Sequence, residues 1–176
     1  MSGDRKIHNL ALVGFMGTGK SSVGRLAAEL LRFEFVDTDE LIEAQSGLSV
    51  EKIFKTQGEP AFRQLEKRVV QNLAQQKKIV IATGGGLISD PENLASLRTH
   101  AMIVCLWASP ETIWERVRSQ THRPLLRTED PLAKIHELFA RRDPVYRQAD
   151  ALIQTNHRSP KEVVQQVLFQ FQLARR

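Results

Sequence analysis

Eight consecutive residues, Gly14-Phe-Met-Gly-Thr-Gly-Lys20-Ser21, carry the spacing G-x-x-x-x-G-K-[ST], with which a chain wraps its backbone around nucleotide phosphates. Glycines permit backbone angles that a side chain would forbid, so successive N–H groups can converge on phosphate oxygens at the positive end of the following helix. Lys20 offers a point charge to β- and γ-phosphates, and the Ser21 hydroxyl stands where it can ligate Mg²⁺. A glycine-rich turn that matches by chance is the alternative; the apolar run before the loop and the amphipathic helix after it argue for phosphate binding. Kinases, ATPases and switch proteins all use such loops, so the residues that would hold a phosphate acceptor must decide among them.

Asp37-Thr-Asp39 follows a second apolar run directly, at the carboxyl edge where open α/β sheets bind ligands. Asp37 could hold Mg²⁺ through water, and Asp39 could accept a hydrogen bond from a hydroxyl that attacks a γ-phosphate. Either could equally cap the helix beginning near Glu40, and capping does not exclude chemistry. In Gly58-Glu-Pro-Ala-Phe-Arg63-Gln-Leu-Glu66, Arg63 and Glu66 share one helical face. The carboxylate can brace a guanidinium fork suited to a carboxylate or phosphate; an exposed salt bridge of little weight is the other reading.

Thr83-Gly84-Gly85-Gly86 brings backbone amides, with no side chains to obstruct them, to the end of the third apolar run. That run, Ile79-Val-Ile-Ala82, ends without the aspartate that many P-loop proteins place there, which leaves Asp37 as the candidate carboxylate for the metal. Arg116, Arg118, Arg123 and Arg127 gather in or near one polar stretch, and Arg141, Arg142 and Arg147 fall on the next helix. Arg123, just before Pro124, is placed to close over phosphates and neutralise charge on the group in transfer. Since most arginines are solvated surface residues, only a minority of these are assigned to ligands.

Such residues need a scaffold. Short runs at Leu10–Val13, Glu34–Val36, Ile79–Ala82, Met102–Trp107 and Leu152–Gln154 alternate with helical patterns, the arrangement of a parallel sheet covered by helices, and their aliphatic content predicts strands buried on both faces. Val23, Leu26, Ala27, Leu30 and Leu31 recur at helical spacing after the first run, and Val164, Val167, Leu168 and Phe171 do so after Ser159-Pro160, where Ser caps and Pro takes the first turn. Glu40–Ala74 predicts a long, mostly helical insertion, and polar Ser119–Asp130 a mobile lid.

At 176 residues and 41% hydrophobic content the chain suits one domain with a real core. Its net charge of +5 would serve nucleic acid, a membrane surface or an anionic substrate alike. The single cysteine, Cys105, permits neither an intrachain disulfide nor a cysteine metal cluster, and the histidines lack metal-ligand spacing. A polar opening segment and the lack of any run long enough to span a bilayer predict a soluble protein of the reducing cytoplasm.

Taken in order, Gly14 to Ser21, Asp37-Thr-Asp39, Gly58 to Glu66, Gly84-Gly-Gly86, Arg123-Pro-Leu-Leu126, Arg142-Asp-Pro-Val-Tyr146, and Thr155-Asn156 leading to Pro160 resemble shikimate kinases, small P-loop enzymes of the nucleoside-monophosphate-kinase branch. The resemblance implies a single P-loop kinase domain over residues 1–176: an α/β three-layer sandwich with a five-stranded parallel sheet in the order 2-3-1-4-5, a substrate-binding region at about 38–75 and a lid at about 119–130. It implies ATP-dependent phosphorylation of the 3-hydroxyl of shikimate, a step toward chorismate and the aromatic amino acids, with Mg²⁺ as cofactor.

By the same resemblance Gly17, Thr18, Gly19, Lys20, Ser21 and Ser22 hold the ATP phosphates. Arg116, Arg158 and Pro160 surround the adenine, with Arg118 the alternative to Arg116. Asp39, Arg63, Gly84, Gly85, Gly86 and Arg142 bind shikimate, the two arginines on its carboxylate and Asp39 on its ring hydroxyls. Lys20, Asp39 and Arg123 are the catalytic set, and Ser21 with Asp37, through water, the metal set. Ser22 stands where a Thr is expected. The implied partners are shikimate and ATP, without nucleic acid or membrane, and a monomer is expected.

Three rivals stay open. A sister kinase would act on gluconate, a nucleoside monophosphate or another small hydroxylated acid. A regulatory GTPase should carry an Asn-Lys-x-Asp element, and the sequence has none. A nucleic-acid binder would gather its charge into a basic arm, whereas here arginines and acids are interspersed.

Overall fold

The computed structural model describes residues 5–120 and 128–176. Its strands β1 (Asn9–Val13), β2 (Glu34–Asp37), β3 (Ile79–Ala82), β4 (Ala101–Trp107) and β5 (Ala151–Gln154) form one sheet in the order β2-β3-β1-β4-β5, with every neighbouring pair parallel. This is the expected order. Parallel neighbours need long crossovers, which the helices supply: α1 (Lys20–Leu31) after β1, α2 (Thr38–Ser46) and α3 (Val50–Leu73) after β2, α4 (Pro91–His100) after β3, α5 (Pro110–Val117) and α6 (Pro131–Tyr146) after β4, and α7 (Pro160–Ala174) after β5. The chain leaves β1 toward β2 and β3 on one side and returns to β4 on the other, a reversal that opens a crevice at the carboxyl ends of the strands.

Helix starts are written locally. At α4, α5, α6 and α7 an Asp or Ser at the N-cap accepts a backbone N–H, and proline follows within the first turn. Ser159 and Glu162 complete a reciprocal capping box on α7.

Strand residues alternate between faces. Leu10, Leu12, Val80, Val104 and Leu106 pack with Val23 and Ala27 of α1 and with Val164, Val167 and Phe171 of α7. Ala11, Val13, Ile81, Ile103 and Cys105 face the opposite layer, packed with Ile42, Ile53, Val70, Leu97, Ile113 and Ile135 from α2 to α6. Burial pushes the Cys105 thiol up to about 12, so it serves as apolar filling.

Three sequence expectations need correction. The outer strands are not buried on both faces: Glu34 is exposed in β2, and in β5 only Ile153 is buried while Leu152 and Gln154 face solvent, because an edge strand has a neighbour on one side only. Leu30 is 56% exposed, and the buried stripe of α1 runs through Val23, Gly24, Ala27 and Ala28 instead. Arg147 lies beyond α6 as its C-cap.

The expected insertion is two helices rather than one rod. Gly47, at φ 69, ends α2, and Gly58, at φ 83, kinks α3. Most of the expected lid, residues 121–127, lies outside the described residues; α6 begins just after it with Asp130 as cap. Among the described residues, no helix is long and apolar enough to cross a membrane.

Candidate active site

The phosphate loop occupies the turn from β1 into α1 and its shape depends on two glycines. Gly14 has φ +136, and a Cβ there would stand 2.2 Å from the Leu106 carbonyl oxygen of β4. Gly17, at φ +74, would place a Cβ 2.7 Å from Val117 of α5. The loop is therefore wedged between two elements with only backbone facing them. Gly19 caps α1 without a side-chain bond, so no local side chain competes with an anion for the first amides of the helix. Lys20 folds back along the loop, its Nζ donating to the carbonyls of Gly14 (2.9 Å) and Phe15 (2.8 Å), and Thr18 Oγ1 donates to Phe15 O at 2.8 Å.

Asp37 does two jobs at once. Oδ1 caps α2 by accepting from the Asp39 amide at 3.0 Å, and Oδ2 accepts from the Ser21 hydroxyl at 3.1 Å. The capping role therefore falls to Asp37, and Asp39 occupies the first turn. The Ser21–Asp37 pair joins two hard oxygen donors beside the loop, which suits Mg²⁺, an ion that keeps several waters and takes few protein ligands. Among the described residues there is no cluster of three or more His, Cys, Asp or Glu.

Gly84, Gly85 and Gly86 each abut a different candidate. A Cβ on Gly84 would lie 2.7 Å from Asp39 Oδ1 and 3.2 Å from Glu66 Oε1; on Gly85, 3.3 Å from an Arg142 Nη and 3.6 Å from the Met16 amide of the phosphate loop; on Gly86, 2.8 Å from an Arg63 Nη. Three residues of backbone thus gather the acid of α2, the arginine of α3, the arginine of α6 and the phosphate loop. The strip is itself fixed, since the Gly84 amide donates to Thr38 Oγ1 at 2.9 Å and the Tyr146 hydroxyl donates to Gly85 O. Arg142 also lies over the Phe15 ring at 5.6 Å.

The Arg63–Glu66 pair is not an exposed bridge. Glu66 is fully buried; one oxygen accepts from Arg63 at 2.6 Å, and the other, Oε1, lies buried beside Gly84 with no hydrogen-bond partner among the described residues. Burial raises the Glu66 pKa and Arg63 opposes the rise. For Arg63, burial alone would lower the pKa, but Glu66 and Glu59, which Arg63 also contacts at 2.8 Å, outweigh it and hold the guanidinium charged. A charged fork is thereby braced from one side.

Arg116 Nη1 donates to Gly17 O at 3.1 Å and to Thr155 Oγ1 at 3.0 Å, while Nη2 donates to Thr155 O at 2.6 Å. It thus ties the phosphate loop to the segment after β5, whereas Arg118 is exposed at the C-cap of α5. Burial lowers the Arg116 pKa. Arg158 is exposed and pairs with Gln166 at 2.8 Å, and Pro160 opens α7. Ser22 is exposed on the first turn of α1. Arg123 lies outside the described residues.

Sequence reasoning assigned no part to Thr38, Thr155 or Tyr146, nor did it foresee the full burial of Glu66. The signals available were slight: the chain has one tyrosine, four residues after Arg142 and hence on the same side of a helix.

A family model described as shikimate kinase matches residues 16–172. The shikimate kinase of Thermodesulfovibrio yellowstonii is 43% identical over 93% of this chain and 95% of its own length, and that of Hahella chejuensis 46% identical over 91% and 84%. Among solved structures, shikimate kinase from Acinetobacter baumannii in complex with shikimate superposes with a TM-score of 0.88 at 39% identity, covering 93% of this chain and 92% of that one. A gluconokinase from Sinorhizobium meliloti, at TM-score 0.59 and 18% identity over 97% and 95% of the two chains, shares the fold alone.

Proposed function

The chain belongs to the shikimate kinase family, enzymes that phosphorylate shikimate with ATP, and we propose that the pocket bounded by Asp39, Arg63, Gly84, Gly85, Gly86 and Arg142 is where this chain holds its acceptor. The observation that carries the reading is the glycine strip, which touches an acid, two arginines and the phosphate loop within three residues. Arg63 and Arg142 take the carboxylate of shikimate, and Asp39 takes ring hydroxyls, the 3-hydroxyl among them. The bare backbone between them lets the ring approach closely.

Phosphoryl transfer asks the protein mainly to align the nucleophile and neutralise charge. Asp39 orients the 3-hydroxyl and can accept its proton as the oxygen bonds to the γ-phosphorus and the bond to the bridging oxygen of ADP breaks. Lys20 exchanges its loop carbonyls for phosphate oxygens, the loop amides of Gly17 to Ser22 bind the phosphate chain, and Arg116, Arg158 and Pro160 flank the adenine. Ser21, directly, and Asp37, through water, would hold Mg²⁺, which when bound offsets phosphate charge. Arg123 closes from the lid to exclude water. In the same reading the chain is one kinase domain, with an acceptor region at about 38–75 and a lid at about 119–130, and works as a cytoplasmic monomer; sedimentation equilibrium with and without substrates checks the last.

A coupled ADP-release assay with Mg-ATP tests the site. Wild type should turn over with shikimate and not with gluconate, AMP or no acceptor. Asp39→Asn should lose about a hundredfold or more in kcat while still binding ATP. Undiminished turnover in Asp39→Asn would remove that residue from the chemistry.

A further inference from the structure

The face of α6 that carries Arg142 also carries Tyr146, one turn later. Tyr146 is the only tyrosine in the chain and is 1% exposed. A buried ring alone would be core filling, which Phe supplies without a polar atom. Here the hydroxyl is used: it donates to the carbonyl oxygen of Gly85, the middle residue of the strip. The guanidinium of Arg142 meets the same glycine, 3.3 Å from where its Cβ would be. Two side chains of one helix turn thus converge on one residue, the first through space that glycine leaves open and the second through a hydrogen bond.

We propose that Tyr146 is a positioning residue for the acceptor: by holding the Gly85 carbonyl it fixes the peptide planes of the glycine strip and the distance between that strip and Arg142. The rest of the strip is anchored on either side of Gly85. Gly84 is held through its amide by Thr38 and through its carbonyl by the Leu87 amide at 3.2 Å, and Gly86 through its carbonyl by the Ser89 amide at 3.0 Å. Between these anchors stands Gly85, with no side chain to lock its rotation. A rotation there would turn amides away from the acceptor and close the gap against Arg142. Phe15 supports the arrangement from the other side, its ring lying under Arg142 and packed against Phe139 of α6 at 5.8 Å. Tyr146 touches no substrate in this account; it acts through Gly85 and Arg142, and the proposal rests on the acceptor site proposed above.

Tyr146→Phe tests it, because the ring volume is kept and only the hydroxyl is lost. The KM for shikimate should rise about fivefold, the effect of losing one neutral hydrogen bond, with the KM for ATP unchanged and kcat within about threefold. In a double-mutant cycle with Arg142→Lys the two losses should be less than additive, since both act through one contact. The methyl ester of shikimate, which lacks the carboxylate charge, should feel the Tyr146 substitution less than shikimate does. An unchanged shikimate KM in Tyr146→Phe overturns the proposal, as do strictly additive losses or an equal rise in both KM values with a lowered Tm, the pattern of a merely structural tyrosine. If Tyr146→Phe fails to fold, Gly85→Ala, whose Cβ would press on Arg142 while Tyr146 remains, must show the same shikimate-selective loss, and an ATP-selective loss overturns the idea. The acceptor-site reading fails separately, if Arg142→Lys leaves shikimate binding intact.

Discussion

The phosphate loop and the proposed acceptor pocket meet at Gly85 and Met16, yet they are built on different plans. The loop is eight consecutive residues whose shape resides mainly in the backbone: Gly14 lies against a β4 carbonyl and Gly17 against Val117 of α5, with the Lys20 side chain as a local brace to carbonyls five and six residues before it. The proposed pocket draws its groups from α2, α3, the strip after β3 and α6, and its shape resides in side chains from separate elements, braced by one another, as Arg63 is by Glu66, or set against the glycine strip, as Tyr146 is. A backbone-built site fails when the backbone cannot take its path. One built from side chains fails gradually, as each brace is removed.

Lys20→Ala gives the largest effect. It removes the charge proposed to face the transferring group, together with two hydrogen bonds to loop carbonyls, so kcat/KM should fall by about a thousandfold or more, with no change in shikimate affinity measured by titration calorimetry. A parallel loss of shikimate binding would mean that the two regions are not separable.

Gly14→Ala comes next, and tests where the loop's shape resides. A Cβ at φ +136, 2.2 Å from a backbone oxygen, cannot be relieved by a rotamer change. The cost should be about 3 kcal/mol or more of stability, read as a lowered Tm and denaturation midpoint. Gly86→Ala is its counterpart in the pocket. The backbone there sits at φ −107, open to any residue, and the clash is with the end of a flexible Arg63. Stability should hold within about 1 kcal/mol while the shikimate KM rises about tenfold; a Tm loss equal to that of Gly14→Ala would erase the contrast.

The same difference in plan decided what could be read from the sequence. The strands and the loop were legible because their signals are local: apolar runs, Gly-x-x-x-x-Gly-Lys-Ser, and Ser-Pro or Asp-Pro at helix starts; the order of the strands came only with the family resemblance. The pocket was legible in pieces. Arg63 and Glu66 declared their spacing, but whether the pair was buried depended on α3 packing against the strip after β3, a contact no window of the sequence contains. Arg142 and Gly84–Gly86 had no local signal that joined them, and only the family resemblance linked them. Tyr146 was hidden for the same reason, since its partner is a backbone carbonyl far away in sequence. Leu30 misled in the opposite direction, because helical periodicity marks a stripe but not how far the partner helix extends.

Glu66→Gln gives the smallest effect and asks whether the bracing is electrostatic. The change keeps shape and removes a buried negative charge from beside Arg63, so the shikimate KM should rise only a few-fold. The sharper signal is in pH. Burial raises the Glu66 pKa above its ordinary value of 4.5, so the folded protein binds a proton more readily than the unfolded chain does. That contribution to stability is therefore complete below 4.5 and is lost as pH rises through the folded pKa. A glutamine cannot titrate. The stability of wild type minus that of Glu66→Gln should accordingly decline with pH above 4.5 and then level off, as measured by urea denaturation across the acid-to-neutral range. A difference that instead grows with pH would mean that Arg63 dominates over burial, and that the pocket holds this carboxylate by ion pairing strong enough to depress its pKa.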